Sequence, residues 1–336
     1  MHAPDGFLNL PTAIGTGVIS AGAIGASLRA TRETLADKQI PLAGVSAAFI
    51  FAAQMFNFPV AAGTTGHLLG GALAAVLLGP AMGALVVTVV VVVQALAFAD
   101  GGLSALGYNV LNMAIVTSFG GWAAFLGFRR IMPRTINGIS GAAGLAALVS
   151  VVLSSAAFSV EWLFGATVAV SFPTVFGAMV VVHLFIGVGE GVITALAVRS
   201  VLAVRPDLVA GADGLPMDRT ETKPLRALTI GGMIVAFVFA TVVSQFAVDD
   251  PDGLERVAQD TGFAESAEDH VLDGFLFADY ATAGIENENV SLAVAGGSGV
   301  LVTLLVLLGI TSATRRGRRD EAVATASDGD QPVRRT

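Results

Sequence analysis

The 336-residue chain has no cysteine. Disulfides, thiolate metal sites and thiol nucleophiles are therefore excluded. Charge is the next scarcity: 13% of residues are Asp, Glu, Lys or Arg, against about a quarter in ordinary soluble domains. The phosphate-cradling pattern Gly-x-x-x-x-Gly-Lys-Ser/Thr is missing, so the chain carries no such ATP site. His-Glu-x-x-His, the helix-borne pair of zinc hydrolases, is missing too. No Lys or Arg precedes Arg29, which leaves no basic region for a cleavable signal. We expect Met1 to be the mature N-terminus, with the bulky His2 protecting it from removal. A formal net charge of −8 speaks against a nucleic-acid partner.

What is abundant is apolar. Hydrophobic residues make up 54% of the chain, and the run 81–99 carries no charge, long enough to cross a bilayer core. The 40 glycines suit membrane helices, where small residues let backbones approach. The apolar runs predict an all-α, polytopic transmembrane bundle of about seven plus two helices. The crossings fall near 8–28, 41–57, 67–80, 82–98, 108–128, 136–158, 171–198, 227–247 and 290–312. Only Gly79 and Pro80 separate the third from the fourth. Lys and Arg prefer cytoplasmic loops. With the N-terminus extracytoplasmic and nine crossings, every Lys and Arg but Arg256 falls inside. Fusing the third and fourth would set Arg129, Arg130 and Arg134 opposite Arg29 and Arg32, so nine separate crossings are preferred.

The chain divides accordingly. Residues 1–200 form a seven-crossing unit. Residues 201–226, with Pro206, Pro216 and Pro224, form a cytoplasmic linker. Residues 227–312 form a hairpin of two crossings around an acidic external loop, 249–288. The charged tail, 313–336, is expected to be disordered. The acidic loop is either an electrostatic funnel for cations or a solvated acidic surface, and we expect the second, because no calcium-loop spacing appears in it.

The N-terminus holds the most unusual local chemistry. A free α-amine, the amide nitrogen of residue 2 and the His2 imidazole can close two fused chelate rings on one ion. Ni²⁺ and Cu²⁺ favour such a square-planar nitrogen field, and Co²⁺ also accepts nitrogen. The ion must displace protons, so affinity should fall in acid. The plain alternative is a histidine that merely follows the start. The segment from Asn57 to His67 lies on the same predicted side as Met1. Its Gly63, Thr64, Thr65 and Gly66 permit irregular backbone at membrane depth, provided protein buries it. His67 could then supply a fourth nitrogen, or simply satisfy the start of a helix. His183 and Glu190, seven apart, share a helix face. Intramembrane ionisable groups are functional candidates by default, so these two either relay a cation or bond each other and neighbouring helices, and we expect the structural role. Asn57, Thr64 and Thr65 join them as candidates for supporting the site. His270, in the acidic loop, is expected to be solvated.

At these residues the chain resembles a known family. Met1-His2-Ala3-Pro4-Asp5-Gly6-Phe7-Leu8 and Gly63-Thr64-Thr65-Gly66-His67-Leu68-Leu69-Gly70-Gly71 are similar to signatures of the cobalt/nickel substrate-specific membrane subunits of energy-coupling factor transporters, the CbiM/NikM family. The stretches 98–103, 106–109 and 183–191 fit as well. Asp250-Pro251-Asp252-Gly253-Leu254-Glu255 and Phe277-Ala278-Asp279-Tyr280 resemble the PDGLE-type auxiliary segment of the same systems, here fused. The resemblance implies that Met1 (amine), His2 (amide and imidazole) and His67 hold the transported Co²⁺ or Ni²⁺. Cobalt would serve cobalamin biosynthesis and nickel would serve nickel enzymes. It implies a separate transmembrane coupling subunit and ATP-binding subunits as partners, a cell-membrane location, and an influence of the fused hairpin on loading. Ala3 stands where such proteins usually carry a larger aliphatic residue, which implies a change of packing only. Pro4-Asp5-Gly6 looks more like nickel members than cobalt ones. The competing classes are an intramembrane metalloenzyme built on His183 and Glu190 or on the external histidines, and an ion channel, for which no repeated filter segment is found.

Overall fold

The computed structural model describes residues 1–34, 36–61, 63–215 and 224–328, without the side chains of 33, 37 and 315–328. Part of the predicted linker, 216–223, and the last part of the tail, 329–336, lie outside the described residues. The chain is helical almost throughout. In order come α1 (Leu10–Thr34), α2 (Ile40–Gln54), a two-stranded antiparallel hairpin of β1 (Phe58–Ala61) and β2 (Thr64–Gly66), α3 (Gly71–Leu78) and α4 (Pro80–Ala97). Then follow α5 (Leu106–Arg129), α6 (Ile136–Gly165), α7 (Phe172–Val204), α8 (Leu225–Thr241), the short α9 (Gly253–Thr261) and α10 (Glu288–Asp328). Seven of these are long and apolar enough to cross a membrane, so the chain is a multi-pass membrane protein. Lipid-facing stripes follow the helical repeat: Leu10, Ile14 and Val18 on α1, and Ile230, Ile234 and Val238 on α8 are exposed.

Two sequence expectations need correction. The third crossing, 67–80, is a helix only over Gly71–Leu78. Eight residues rise about 12 Å, far short of a hydrocarbon core of about 30 Å. The hairpin and the extended segment 67–70 supply the rest of the descent, and this segment is buried in protein. Irregular backbone at such depth is tolerated only there. Second, α10 continues to Asp328, so helix extends into 313–328, where composition had suggested a disordered tail.

Packing explains several boundaries. Pro80 sits in the first turn of α4, where its missing N–H costs nothing, so the α3–α4 corner can be tight. Residues 111–116 of α5 form a π-helical stretch, an irregularity often found beside functional sites. α6 and α7 approach closely at Gly144 and Gly191. A Cβ at either position would meet the other's carbonyl oxygen within 2.8 Å, so only glycine permits the crossing. Ser171 and Thr135 cap the N-termini of α7 and α6 by accepting from Thr174 N and Gly138 N.

The two ends of the bundle differ in chemistry. At one end Lys38 pairs with Asp207, Arg199 with Asn137, and Arg129 with the Gly211 and Asp213 carbonyls. The N-terminus, the hairpin and the segment 249–288 gather at the other. α9 lies against α7 there, capped by Asp252, whose Oδ1 accepts from Leu254 N at 2.8 Å and Glu255 N at 2.9 Å. Phe263, fully buried, packs on Phe7 and Trp162. The loop following α9 is pinned to the N-terminal segment, Glu268 N donating to the Asp5 carbonyl at 2.9 Å. The external segment is therefore a lid of folded structure laid over the first eight residues.

Candidate metal centre

The first five residues are threaded into the bundle rather than left outside. Ala3 is held on both backbone groups by one amide: its N–H donates to Asn109 Oδ1 and its carbonyl accepts from Asn109 Nδ2, each at 3.0 Å. Asp5 accepts from Leu103 N, Ser104 N, Ser104 Oγ and Ala105 N, so the start of α5 is fastened to the N-terminal segment. Gly102 makes this possible, since a Cβ there would collide with the backbone and carboxylate of Asp5. Asn109 stands just before the π-helical stretch of α5.

This threading places Met1, 6% exposed, beside His67. The α-amine donates to His67 Nε2 at 2.6 Å. His67 Nδ1 donates to the Leu68 carbonyl at 3.1 Å, which leaves the Nε2 lone pair facing the amine. Two nitrogens at adjacent corners of a square lie about 2.8 Å apart when each metal–nitrogen bond is about 2.0 Å. The observed pair is close to that spacing. The His2 ring lies nearly parallel to that of His67, with centroids 5.2 Å apart.

His2 is presented in the tautomer that a chelate needs. Its Nε2 donates to Gln94 Oε1 at 3.0 Å, Gln94 Nε2 donates to the Tyr280 hydroxyl at 3.0 Å, and that hydroxyl donates to Asp100 Oδ2 at 2.6 Å. The direction of this chain assigns the proton to Nε2 and the lone pair to Nδ1. Burial pushes the His2 imidazole down to about 4, against the opposing pull of Asp100, so at neutral pH the ring is uncharged. Nδ1 then faces Asp100 Oδ1 at 3.3 Å, two electron-rich atoms whose juxtaposition favours a cation. Burial and Asp100 together hold Tyr280 far above its ordinary value, so it remains a hydroxyl donor.

The lid contributes a carboxylate. Asp252 Oδ2 accepts from the α-amine and lies 3.8 Å from His67 Nε2. Burial works to raise its pKa, but the adjacent α-ammonium outweighs burial and keeps it well below the usual carboxylate range. An open cavity of about 600 Å³ leads in from outside; His2 and His67 line its inner wall, with Asp100, Asp249, Asp250, Asp252, Glu255 and Asp279 around it. The acidic segment thus turns part of its charge toward the histidines, beyond the solvated surface we expected. Among the described residues no three His, Cys, Asp or Glu side chains converge as a metal cluster. Two imidazoles with backbone nitrogens remain the fitting donor set.

The supporting residues divide. Glu190 accepts from Leu69 N at 2.7 Å and Gly70 N at 3.0 Å, so α7 fastens the loop that carries His67. It does not bond His183, whose Nδ1 instead donates to the Met179 carbonyl at 2.8 Å. A metalloenzyme needs those two groups aimed at one water, and their different partners remove that reading. Thr65 joins the hairpin to the lid, its Oγ1 donating to the Asp250 carbonyl and its N–H to that of Pro251. Thr64 is buried in β2. Asn57 lines the entrance cavity and its carbonyl accepts from Val248 N. His270 lies in the lid, its Nδ1 accepting from Leu272 N.

The family model for the cobalt uptake substrate-specific transmembrane region, CbiM, matches residues 2–208, and the PDGLE domain matches 226–316. The chain belongs to the CbiM family. The fused NikMN chain of Archaeoglobus fulgidus is 34% identical over 316 residues, covering 94% of this chain and 99% of that one. The fused nickel transport protein NikMN of Rhodobacter capsulatus is 35% identical over 226 residues, 62% of this chain and 64% of that one. A solved truncated transition metal transporter is 26% identical with a TM-score of 0.52, covering 60% of this chain and 99% of its own. This CbiM-family chain is therefore a metal transport protein with a fused PDGLE unit, and not an enzyme.

Sequence reasoning named Met1, His2 and His67 as candidates but not Asp5, Gln94, Asn109, Asp252 and Tyr280, whose hydrogen bonds position the N-terminal segment and the His2 ring. Gln94 carried a signal: it is the one amide in the uncharged run 81–99, and a polar group in a membrane span calls for a partner.

Proposed function

We propose that this chain is the substrate-binding component of an energy-coupling factor transporter importing Ni²⁺ or Co²⁺. The ion enters from the extracytoplasmic face through the acidic cavity. It binds the Met1 amine, the His2 amide nitrogen, His2 Nδ1 and His67 Nε2. Capture displaces the amine and amide protons, so uptake weakens in acid. Release then follows coupling to a separate transmembrane subunit and ATP-binding subunits in the cell membrane, supplying nickel enzymes or cobalamin biosynthesis. The observation that carries this reading is the buried α-amine at 2.6 Å from a His67 Nε2 whose tautomer turns a lone pair toward that amine.

The test is metal content and Ni²⁺ affinity of the purified chain beside a variant with a few residues added before Met1. The extension displaces the amine and leaves every side chain in place. One tightly bound ion per chain, lost in the extended form, is expected. Equal binding by both forms would move the metal elsewhere and remove the N-terminal chelate.

A further inference from the structure

An N-terminal ammonium carries three N–H donors, and two have acceptors here: His67 Nε2 and Asp252 Oδ2. Between these groups and α7 lies a small cavity of about 10 Å³, lined by Met1, His67, His183 and Asp252 among others. That volume is on the order of what one water needs. His183 is buried, 1% exposed. Its Nδ1 proton goes to the Met179 carbonyl, so Nε2 carries the lone pair. Among the described residues that Nε2 has no hydrogen-bond partner. It abuts Gly253, the residue after Asp252: a Cβ there would come within 3.1 Å of it. A buried acceptor left unpaired is costly, and this one borders the cavity that also reaches the amine.

We propose that His183 is a positioning residue for ion capture. Its Nε2 accepts a hydrogen bond from one water seated in this cavity, and that water accepts the third N–H of the Met1 amine. The water's second proton goes to the Asp252 carboxylate, giving it three polar partners, the number typical of buried water. When an ion takes the amine lone pair, two N–H bonds remain, one for Asp252 and one for the water on His183. The cradle therefore fixes the direction in which the lone pair points. α7 then holds both halves of the centre: the amine through His183, and the His67 loop through Glu190. A shift of this helix disturbs both at once, which gives release a mechanical route.

For its link to ion capture this inference rests on the proposed function, and its test separates the hydrogen-bond cradle from that reading. Full-length His183→Leu, which fills the site without an acceptor, is compared with His183→Gln, whose amide oxygen can accept. His183→Met serves as a second acceptor-free chain should Leu not fold. Two readouts are taken. One is the rate at which the α-amine of the metal-free protein is acylated by an N-hydroxysuccinimide ester, followed by mass spectrometry. The other is Ni²⁺ affinity by competition with a chromophoric chelator. The acceptor-free chains are expected to acylate about tenfold faster and to bind Ni²⁺ about tenfold more weakly, or about 1.4 kcal/mol. His183→Gln is expected to recover most of both. Equal damage by Gln and Leu would assign His183 to packing, and no change in either readout would remove it from the centre. If acylation follows His183 in a chain that holds no Ni²⁺, the cradle stands and the metal reading falls. If the N-terminal extension abolishes Ni²⁺ binding while His183 is indifferent, the reverse holds.

Discussion

His2, as the proposed donor, shows how much of an imidazole's chemistry is set by the residues around it. Desolvation keeps the ring neutral, and the Gln94–Tyr280–Asp100 chain decides which nitrogen is free. Outer hydrogen-bond partners of metal-bound histidines are typically worth about 10–100-fold in affinity. Gln94→Leu is therefore expected to weaken Ni²⁺ binding within that range while leaving helical circular dichroism unchanged. Titration of the purified variant against a competing chelator checks it, and wild-type affinity would show that the His2 tautomer is set by something other than Gln94. The candidate donors could be named from the sequence because they are rare types in unusual places: a histidine at position 2, and another beside a Gly-Thr-rich break. Asn109 and Gln94 could not, because an amide's role depends on what it faces, and apolar periodicity does not report that.

At the scale of elements, the buried non-helical backbone from Thr64 to Gly70 is the feature that positions His67, and helix counting misread it. Apolar residues alone cannot distinguish a short helix preceded by buried irregular backbone from a full crossing, since both are uncharged. What tells them apart is where the backbone groups find partners. Here Leu69 N and Gly70 N find theirs in the Glu190 carboxylate, and Gln54 Nε2 donates to the Leu69 carbonyl at 3.0 Å. Glu190→Ala leaves two buried amides without an acceptor, at about 1–3 kcal/mol for each. It should lower the thermal midpoint in detergent and weaken Ni²⁺ binding together, with Glu190→Gln intermediate because its amide oxygen still accepts. An alanine variant with both properties intact would show that the His67 loop is held by other means.

At the scale of the whole molecule, charge placement and apolar runs predict two membrane units joined by a linker, because those features are local in sequence. That the second unit folds its external segment onto the first eight residues was not legible. The contacts join positions some 250 residues apart, as between Met1 and Asp252, and nothing in either segment's own pattern encodes the other. The consequence is that the fused unit touches the candidate centre. Asp252 does two separable things: Oδ1 caps α9, and Oδ2 meets the Met1 amine. Asn caps helices as well as Asp does, so Asp252→Asn keeps the lid folded and removes only the negative charge from the amine. A hydrogen bond to a charged group is worth about 1.5–3 kcal/mol, so Ni²⁺ binding should weaken roughly tenfold or more. Thermal stability should stay near wild type, whereas Asp252→Ala should lose both. If the Asn variant binds as the wild type does, the lid acts by its shape and its acidic entrance alone. If Asn and Ala fail alike in stability, the cap was the whole of the contribution. Weak binding by a stable Asn variant is the outcome that makes the carboxylate of the C-terminal unit a working part of the N-terminal site.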